Sequence, residues 1–330
     1  MREAGHCESG CALVFACDSD DAYARGLAVA IYSAVRRLDP DFRPEICVLD
    51  NGLSESSRTR LLRVAQAAGR IDDLRLIPIP TERLQHLEQS SPLGSSTYAR
   101  LVIGELISSH VRRAVYLDTD VLVKRDLAPL FAVELGDAPI AAVRNFGTPG
   151  PVADRDPGSY FNAGVLVLDL PRWRAARIGE RTMQYAGAPG ESLVANDQDA
   201  LNIVVGNWHE LDFRWNVQHG DLFVEEPPPN SELLIAQREQ LCREAAILHF
   251  TGSRKPWFPW CRMPGTMAWV TALMGSGWYT PRERLSWLLP WLGRRAAAMT
   301  RSKAEGVRRR AVLLRRVIAH SERRRLREET

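Results

Sequence analysis

The sequence predicts an α/β protein built around a mostly parallel sheet. Short apolar runs typical of buried strands alternate with longer amphipathic segments of helical length, and residues that break regular structure separate them. Strands spaced by helices are typical of βαβ units, whose helices cover both faces of a parallel sheet. With 330 residues, 45% of them hydrophobic, the chain is long enough to bury a sizeable core.

The elements of this sheet follow one another in the first half of the chain. Strands are predicted at 12–17, 45–49, 74–79, 114–117, 139–143 and 163–170, and helices at 27–38, 54–68 and 96–109. The first helix ends before Pro40, the turn Asp50-Asn51-Gly52 closes the second strand, and Pro80 stops the third. From about residue 171 the pattern becomes more helical and richer in tryptophan.

Charge is divided unevenly along the chain. The formal net charge is +3, yet residues 281–330 carry 15 Lys and Arg against 5 Asp and Glu, which leaves a net charge of −7 on the rest. The apolar stretch 285–292 contains two tryptophans. Beyond it, apolar residues recur on one helical face at Val307, Ala311, Leu314 and Ile318. This composition favours a basic amphipathic helix that binds an anionic membrane surface, although a solvated tail or a helix docked on the protein would share it.

These observations divide the chain into a globular domain at 1–280 and a basic tail at 281–330. The N-terminus lacks the apolar stretch of a secretory signal peptide, and no run of about 18 apolar residues indicates a membrane span. We therefore expect a cytoplasmic protein, peripheral on the inner face of the membrane if the tail binds lipid. Nucleic acid is not an expected partner, because the body is acidic and lacks interleaved basic and aromatic residues.

Two aspartates follow the strand predicted at 114–117. Asp118-Thr119-Asp120 comes at the carboxyl end of that strand, where open α/β sheets bind their ligands. Two carboxylates two residues apart can converge on one hard cation, which would bridge two phosphate oxygens. A capped turn with solvated aspartates would show the same spacing. So would a phosphatase of the haloacid dehalogenase type, in which Asp118 would be the nucleophile.

Six stretches of the sequence bear on this choice. In chain order they are FACD (15–18) with Tyr23 and GLAV (26–29), TYARL (97–101), YLDTDVLV (116–123), YFNAGVL (160–166), NDQDALN (196–202) and LHFTGSRKPW (248–257). In residue type and order they resemble the family 8 glycosyltransferases, which include bacterial lipopolysaccharide galactosyltransferases and glycogenin. The resemblance covers residues 12 to about 260.

The resemblance implies a GT-A fold, with a nucleotide-sugar-binding half at 12–170 and an acceptor-side half at 171–280. It implies a UDP-sugar donor carrying a hexose, glucose or galactose, and transfer with retention at the anomeric carbon. The acceptor would be a hydroxyl of a glycan, a glycolipid such as a lipopolysaccharide core, or a natural product. A catalytically inactive nucleotide-sugar binder is the alternative, since the sequence departs from the family pattern at two positions.

The metal site implied by the resemblance consists of Asp118, Asp120 and His249. Two carboxylates and an imidazole suit Mn²⁺ better than an all-oxygen cage would, with Mg²⁺ as the alternative. Asp118 and Thr119 also belong to the implied nucleotide-sugar site. Gly252 would let the backbone approach the phosphates closely, and Lys255 would place a positive charge beside them.

The resemblance also implies the residues around the donor sugar. Arg100 would contact the sugar and pair with carboxylates, and Asn162 matches a sugar-contacting asparagine. Asn145 stands where many relatives have an aspartate, and its amide can still bond a hydroxyl but carries no charge. Asp197 would bind sugar hydroxyls, and Gln198 would lie near the anomeric carbon. A glutamine carbonyl is a poor nucleophile, so we expect a same-face displacement in which the departing phosphate takes the acceptor proton.

The uracil and ribose end maps to the exit of the first strand. Asp18, Asp20 and Asp21 cluster there, and a carboxylate can accept a hydrogen bond from uracil N3–H or from a ribose hydroxyl. Ala22 replaces the asparagine of the family's Asp-Asn-Tyr run, so which of the three aspartates reads the base stays open. Tyr23 would stack on uracil or anchor the following helix.

Overall fold

Ten strands form two sheets in the computed structural model, which describes residues 10–80, 82, 84, 95–145, 160–188, 196–223 and 232–300. The strands are β1 (Cys11–Asp18), β2 (Glu45–Asn51), β3 (Leu74–Pro78), β4 (Arg113–Leu117), β5 (Val121–Val123), β6 (Ile140–Arg144), β7 (Phe161–Asp169), β8 (His209–Glu210), β9 (Val217–Gln218) and β10 (Ile247–His249). The main sheet has the order β3-β2-β1-β4-β7-β6-β8, and the small sheet has the order β5-β10-β9.

One strand of the main sheet runs against the others. β7 pairs antiparallel with β4 and with β6, whereas the other neighbouring pairs of described strands in this sheet are parallel. A β-bulge between Ala142 and Val143 interrupts the pairing of β6 with β7. The predicted mostly parallel sheet is confirmed. The reversal of β7 has a consequence for the site, because it brings the start of that strand beside the carboxyl ends of β4 and β6.

Helices flank the sheets, as the predicted fold class requires. They are α1 (Asp21–Val35), α2 (Glu55–Ala67), α3 (Ile103–Leu106), α4 (Ala128–Phe131), α5 (Leu170–Ala175), α6 (Ile178–Ala186), α7 (Asn196–Val205), α8 (His219–Leu222), α9 (Glu232–Glu244) and α10 (Thr266–Gly275). Short 3₁₀ helices lie at Ile71–Asp73, Ser95–Val102 and Phe213–Trp215. The described residues of β1, β4 and β7 are buried almost throughout, because helices cover both faces of the sheet at its centre.

Two predicted helices differ from the structure. Helix α1 begins at Asp21 rather than at 27, because the Asp20 carboxylate caps it by accepting hydrogen bonds from the N–H groups of Ala22 at 2.6 Å and Tyr23 at 3.4 Å. The helix predicted at 96–109 is a 3₁₀ helix followed by the short α3. Every side chain from Tyr98 to Ile103 is buried, so tertiary packing rather than an amphipathic pattern determines the path of this segment.

The described residues fall into two compact units, one of residues 10–257 and 263–279, the other of residues 258–262 and 280–300. In the second unit a helix, α11, covers 281–300. Its Arg295 Nη1 donates to the carbonyl of Pro259 at 3.4 Å, and the rings of Trp287 and Trp291 stack with centroids 5.9 Å apart. The apolar positions predicted between 307 and 318 lie outside the described residues. Within the described residues, no helix combines the length and apolar character needed to cross a membrane.

Candidate active site

The carboxyl edge of the main sheet collects most of the predicted site residues. β1 has β2 on one side and β4 on the other, and such switch points open a crevice at the carboxyl ends of the strands. Asp18 ends β1, and Asp118 directly follows β4. Because β7 is reversed, Asn162 near its start lies at the same edge.

Three potential metal ligands meet at this edge. One donor atom from each of Asp118, Asp120 and His249 lies within 4.8 Å of the other two. The Nε2 atom of His249 is 3.2 Å from Asp120 Oδ1 and 3.7 Å from Asp118 Oδ2. The small sheet produces this meeting, since β10 pairs antiparallel with β5 and sets His249 opposite Val121, one residue after Asp120.

The other ring nitrogen of His249 has its own partner. Nδ1 lies 2.9 Å from the side-chain oxygen Oδ1 of Asn216, and both residues are buried. An amide oxygen can only accept a hydrogen bond, so Nδ1 carries the proton and donates it. The lone pair of Nε2 therefore faces the two carboxylates, which is the arrangement that a histidine ligand needs.

Gly164 makes room for this cluster. A Cβ atom on Gly164 would lie 2.7 Å from Asp118 Oδ2 and 2.9 Å from His249 Nδ1, closer than side-chain carbons approach other atoms. The backbone of β7 thus forms the wall of the cluster, and the carbonyl of Gly164 accepts a hydrogen bond from the Asp118 N–H at 2.8 Å. Two carboxylates, an imidazole nitrogen and a close backbone wall fit a divalent cation of the Mn²⁺ or Mg²⁺ type.

Lys255 is buried next to the cluster. Its Nζ donates hydrogen bonds to Asp120 Oδ2 and, at 2.9 Å, to the carbonyl of Phe250. Burial opposes ionisation of both partners, but the pairing outweighs it. Lys255 holds the pKa of the Asp120 carboxyl below its usual range, and Asp120 in turn raises the pKa of Lys255. Asp120 is therefore a stable anion, and Lys255 lies within the cluster rather than out in the crevice.

Arg100 lies between two carboxylates on the other side of Asp118. Its Nη2 is 3.1 Å from Asp118 Oδ1, its Nε is 2.9 Å from Asp197 Oδ2, and Nη1 donates to the carbonyl of Ala163. Burial disfavours the charged guanidinium, but Asp118 and Asp197 outweigh that cost and raise the pKa of Arg100. The 3₁₀ helix at Ser95–Val102 positions this side chain under the sheet edge.

Asp197 lies at the start of α7 and is buried. Burial raises the pKa of its carboxyl to about 6, because the loss of hydration outweighs the favourable charge of Arg100, and the nearby Asp118 carboxylate adds to the rise. Arg100 and the backbone N–H groups of Asp197 and Gln198 thus compensate the buried anion only in part.

Amide side chains link the cation cluster to α7. The Gln198 oxygen Oε1 accepts hydrogen bonds from Asn162 Nδ2 at 3.1 Å and from the Ala163 N–H at 3.0 Å. On its other side Gln198 Nε2 donates to the Tyr160 hydroxyl at 3.1 Å. Asn145 lies at the rim of this network, with its Oδ1 3.5 Å from Asn162 Nδ2.

The residues predicted for the base and ribose have different local roles. The Asp20 carboxylate caps α1, and Asp21 Oδ1 accepts a hydrogen bond from the Ser57 hydroxyl at 3.2 Å. Asp18 Oδ1 accepts one from the Asp20 N–H at 3.0 Å. The Tyr23 ring is 38% exposed and meets Trp257 edge to face, with centroids 5.2 Å apart.

Thr119 and Gly252 are the two remaining residues predicted for the site. Thr119 is buried between the two aspartates, and Gly252 has a φ of +73° with open space where a side chain would stand. A positive φ favours glycine, so the loop after β10 can present bare backbone to a ligand.

The structure also places residues in the site that the sequence did not single out. Tyr160, Gly164 and Asp199 lie inside the resembling stretches, where each could have been read as a packing residue. Asn216 lies in none of those stretches, and only its contacts with His249 and Asn162 reveal it.

Known proteins are similar to the part of the sequence that contains these residues. The model of the family described as glycosyl transferase family 8 matches residues 13–261. General stress protein A of Bacillus subtilis (strain 168) is 30% identical in an alignment of 246 residues that covers 72% of this chain and 85% of that protein. The lipopolysaccharide 1,2-glucosyltransferase of Escherichia coli (strain K12) is 26% identical in an alignment of 283 residues that covers 81% of this chain and 80% of that protein.

A solved structure shares the fold. It is the galactosyltransferase LgtC in complex with donor and acceptor sugar analogues, with a TM-score of 0.62 and 28% sequence identity. The match covers 84% of this chain and 99% of that one. It confirms the predicted GT-A arrangement, a mostly parallel sheet flanked by helices.

Proposed function

The chain belongs to glycosyl transferase family 8 and is a glycosyltransferase, and on that premise we propose that it moves a hexose, glucose or galactose, from a UDP-sugar to an acceptor hydroxyl with retention at the anomeric carbon. The observation that carries the proposal is the double role of Asp118. Its Oδ2 faces His249 in the cation cluster, and its Oδ1 lies 3.1 Å from Arg100, which pairs with Asp197. A sugar nucleotide needs this proximity, because its anomeric carbon is one bond away from the diphosphate.

The phosphate side of the reaction falls to Asp118, Asp120 and His249, which would hold Mn²⁺ or Mg²⁺. When bound, such a cation stabilises the negative charge that develops on the departing diphosphate. Lys255 keeps Asp120 ionised and so keeps it ready as a ligand. Gly252 would bring backbone N–H groups close to the same phosphates.

The sugar side falls to Asp197, Arg100, Asn162 and Gln198. Asp197 would accept hydrogen bonds from sugar hydroxyls, and Arg100 would keep that carboxylate in place. The geometry of Gln198 supports a same-face displacement, because Oε1 already accepts two hydrogen bonds and is not free to attack carbon. The bond from the anomeric carbon to the diphosphate breaks, the acceptor oxygen bonds that carbon on the same face, and a departing phosphate oxygen takes the acceptor proton.

The base and ribose would bind at the end of β1. Asp20 and Asp21 are engaged in capping α1 and in the bond with Ser57, so we assign the base or ribose contact to Asp18 and stacking on uracil to the half-exposed Tyr23. Asn145 at the rim would contribute to hexose choice through its amide.

The acceptor would enter on the 171–280 side, and the tail would place the enzyme at a membrane. Helix α11 exposes Leu285 to 60% and Leu289 to 63%, and its arginines continue into a segment that is strongly basic in sequence. Apolar side chains next to arginines favour an anionic bilayer surface. The similarity to a lipopolysaccharide glucosyltransferase favours a glycolipid acceptor at such a surface.

Co-sedimentation with anionic liposomes tests whether the tail binds a membrane. Equal binding by the full-length protein and by a 1–280 truncation would reject a membrane role for the tail.

One experiment tests the core of the proposal. Purified protein is incubated with UDP-glucose or UDP-galactose, with and without Mn²⁺, while released UDP is measured and the anomeric configuration of the product is read by proton NMR. We expect metal-dependent UDP release from one of these donors and an α-linked product from an α-linked donor. UDP binding without release of sugar from any UDP-hexose would instead favour an inactive nucleotide-sugar binder.

A further inference from the structure

Six buried or half-buried side chains form one continuous hydrogen-bonded chain from the cation cluster to α7. It runs His249 Nδ1 to Asn216 Oδ1 at 2.9 Å, Asn216 Nδ2 to Asn162 Oδ1 at 2.8 Å, Asn162 Nδ2 to Gln198 Oε1 at 3.1 Å, Gln198 Nε2 to Tyr160 Oη at 3.1 Å, and Tyr160 Oη to Asp199 Oδ1 at 2.6 Å. Every bond in this series has its donor on the His249 side.

The direction of the chain is imposed from its far end. A carboxylate only accepts hydrogen bonds, so the Tyr160 hydroxyl must donate to Asp199. Burial and the bond to Asp199 raise the pKa of Tyr160, so the hydroxyl keeps its proton. Its oxygen can then accept from the Gln198 NH₂ group, which turns the Gln198 oxygen toward Asn162. In the same way, the Asn162 NH₂ group donates to Gln198 and the Asn216 NH₂ group donates to Asn162, which leaves the Asn216 oxygen to accept from His249.

Backbone contacts reinforce this direction at two points. The Ala163 N–H donates to Gln198 Oε1 at 3.0 Å, and the Gly164 N–H donates to Asn162 Oδ1 at 3.0 Å. Neither amide can be flipped without setting a donor against a donor. Asn216 and Asp199 have no exposed surface, so water is not at hand to replace a lost partner.

We propose that Asp199, Tyr160 and Asn216 are positioning residues, and that the chain they form sets the proton of His249 on Nδ1 and the amide of Gln198 in one orientation at the same time. Nε2 of His249 is thereby left unprotonated toward Asp118 and Asp120. The metal side and the sugar side of the site are thus oriented by a single chain anchored at the Asp199 carboxylate. This proposal rests on the proposed function in one respect, since it takes a divalent cation as the partner of Nε2.

The test compares two buried tyrosine hydroxyls. Tyr160→Phe removes a link of the chain, whereas Tyr98→Phe removes a buried hydroxyl that has no hydrogen-bond partner among the described residues. Two properties are measured on the full-length protein without nucleotide sugar. One is the Mn²⁺ dissociation constant, from the EPR signal of the free ion. The other is the ring tautomer of His249, from long-range ¹H–¹⁵N NMR at a pH where the imidazole is neutral.

We expect Tyr160→Phe to weaken Mn²⁺ binding by roughly 10-fold or more and to add an Nε2–H tautomer, while Tyr98→Phe matches the wild type in both. Asp199→Asn, which keeps the shape but lets the terminal group donate, should also give mixed tautomers. An unchanged tautomer and unchanged Mn²⁺ affinity in Tyr160→Phe and Asp199→Asn would overturn the proposal. If the wild type does not bind Mn²⁺, that result counts against the proposed function, and the His249 tautomer still tests the hydrogen-bonded series of side chains.

Discussion

The two sides of Asp118 are built from different kinds of polar group. On the cation side, Asp120 and Lys255 interact mainly through charge, and Lys255 neutralises part of the cluster. On the sugar side, Arg100 and Asp197 form an ion pair, but Asn162 and Gln198 beside them are neutral amides whose hydrogen bonds have a direction. Charge acts over several ångströms and tolerates small displacements, whereas a directed hydrogen bond does not. In the proposed function, the first side would hold the diphosphate and the second would discriminate between hydroxyl groups.

The largest effect is expected from removing charge on the cation side. Asp120→Ala should lower sugar transfer by roughly 10³-fold or more, because it deletes a cation ligand and leaves Lys255 buried without its carboxylate. UDP release at saturating Mn²⁺ measures the loss. The melting temperature is followed alongside, and a variant that stays folded and keeps more than about a tenth of its activity would remove Asp120 from the metal site.

A smaller effect is expected from the sugar side. Gln198→Ala should leave appreciable transfer, lower by roughly 10-fold to 100-fold, because the amide orients neighbours and does not bond to carbon. The product anomer should stay the same. Equal and total loss of activity in Gln198→Ala and Asp120→Ala would contradict the same-face mechanism and would favour Gln198 as a nucleophile.

The wall of the cluster can be tested at Gly164. In Gly164→Ala the new methyl group would press on Asp118 and His249, so Mn²⁺ affinity should fall by roughly 10-fold. Calorimetric titration with Mn²⁺ measures it. Gly293→Ala is the control, since a Cβ there meets nothing within 4 Å. Wild-type Mn²⁺ affinity in Gly164→Ala would contradict this expectation, because it would show that the cluster accommodates the methyl group without losing its hold on the cation.

The prediction for Asp197 concerns the pH dependence of stability rather than the rate of transfer. Its folded pKa of about 6 lies above the ordinary value of 3.8, so the folded state binds more protons between these limits and stability falls as pH rises from about 4 to about 6. The cost is fully present at neutral pH and amounts to about 3 kcal/mol. The difference in unfolding free energy between Asp197→Asn and wild type should therefore move by about that much in favour of the variant between pH 4 and pH 7, and the variant should lose activity. Urea denaturation at several pH values measures it, and a pH-independent difference would contradict the raised pKa.

Local sequence was enough to single out many residues of the candidate site. Asp118 and Asp120 directly follow an apolar strand, and Asp197 and Gln198 are adjacent, so each pair is visible as a short pattern. Asp20 was harder, because an aspartate before a helix looks the same whether it caps the helix or reads a base. The structure shows the capping bond. The helix predicted at 96–109 differs in type and end, since the segment is a 3₁₀ helix that continues as a short α-helix to Leu106, and the packing around the buried residues 98–103 is not visible in the local sequence.

Apolar runs, turn residues and neighbours in the chain were enough to predict the six longer strands of the main sheet, its mostly parallel character and the residues that end those strands, but not the short strand β8 or the small sheet β5-β10-β9. The reversal of β7, which brings Asn162 and Gly164 to the carboxyl edge, is visible only in the folded protein. The same is true of the hydrogen bonds that join Asn216, Tyr160 and Asp199 to His249. A hydrogen bond between distant segments requires only that two side chains meet in space, so it leaves no periodicity or spacing along the chain.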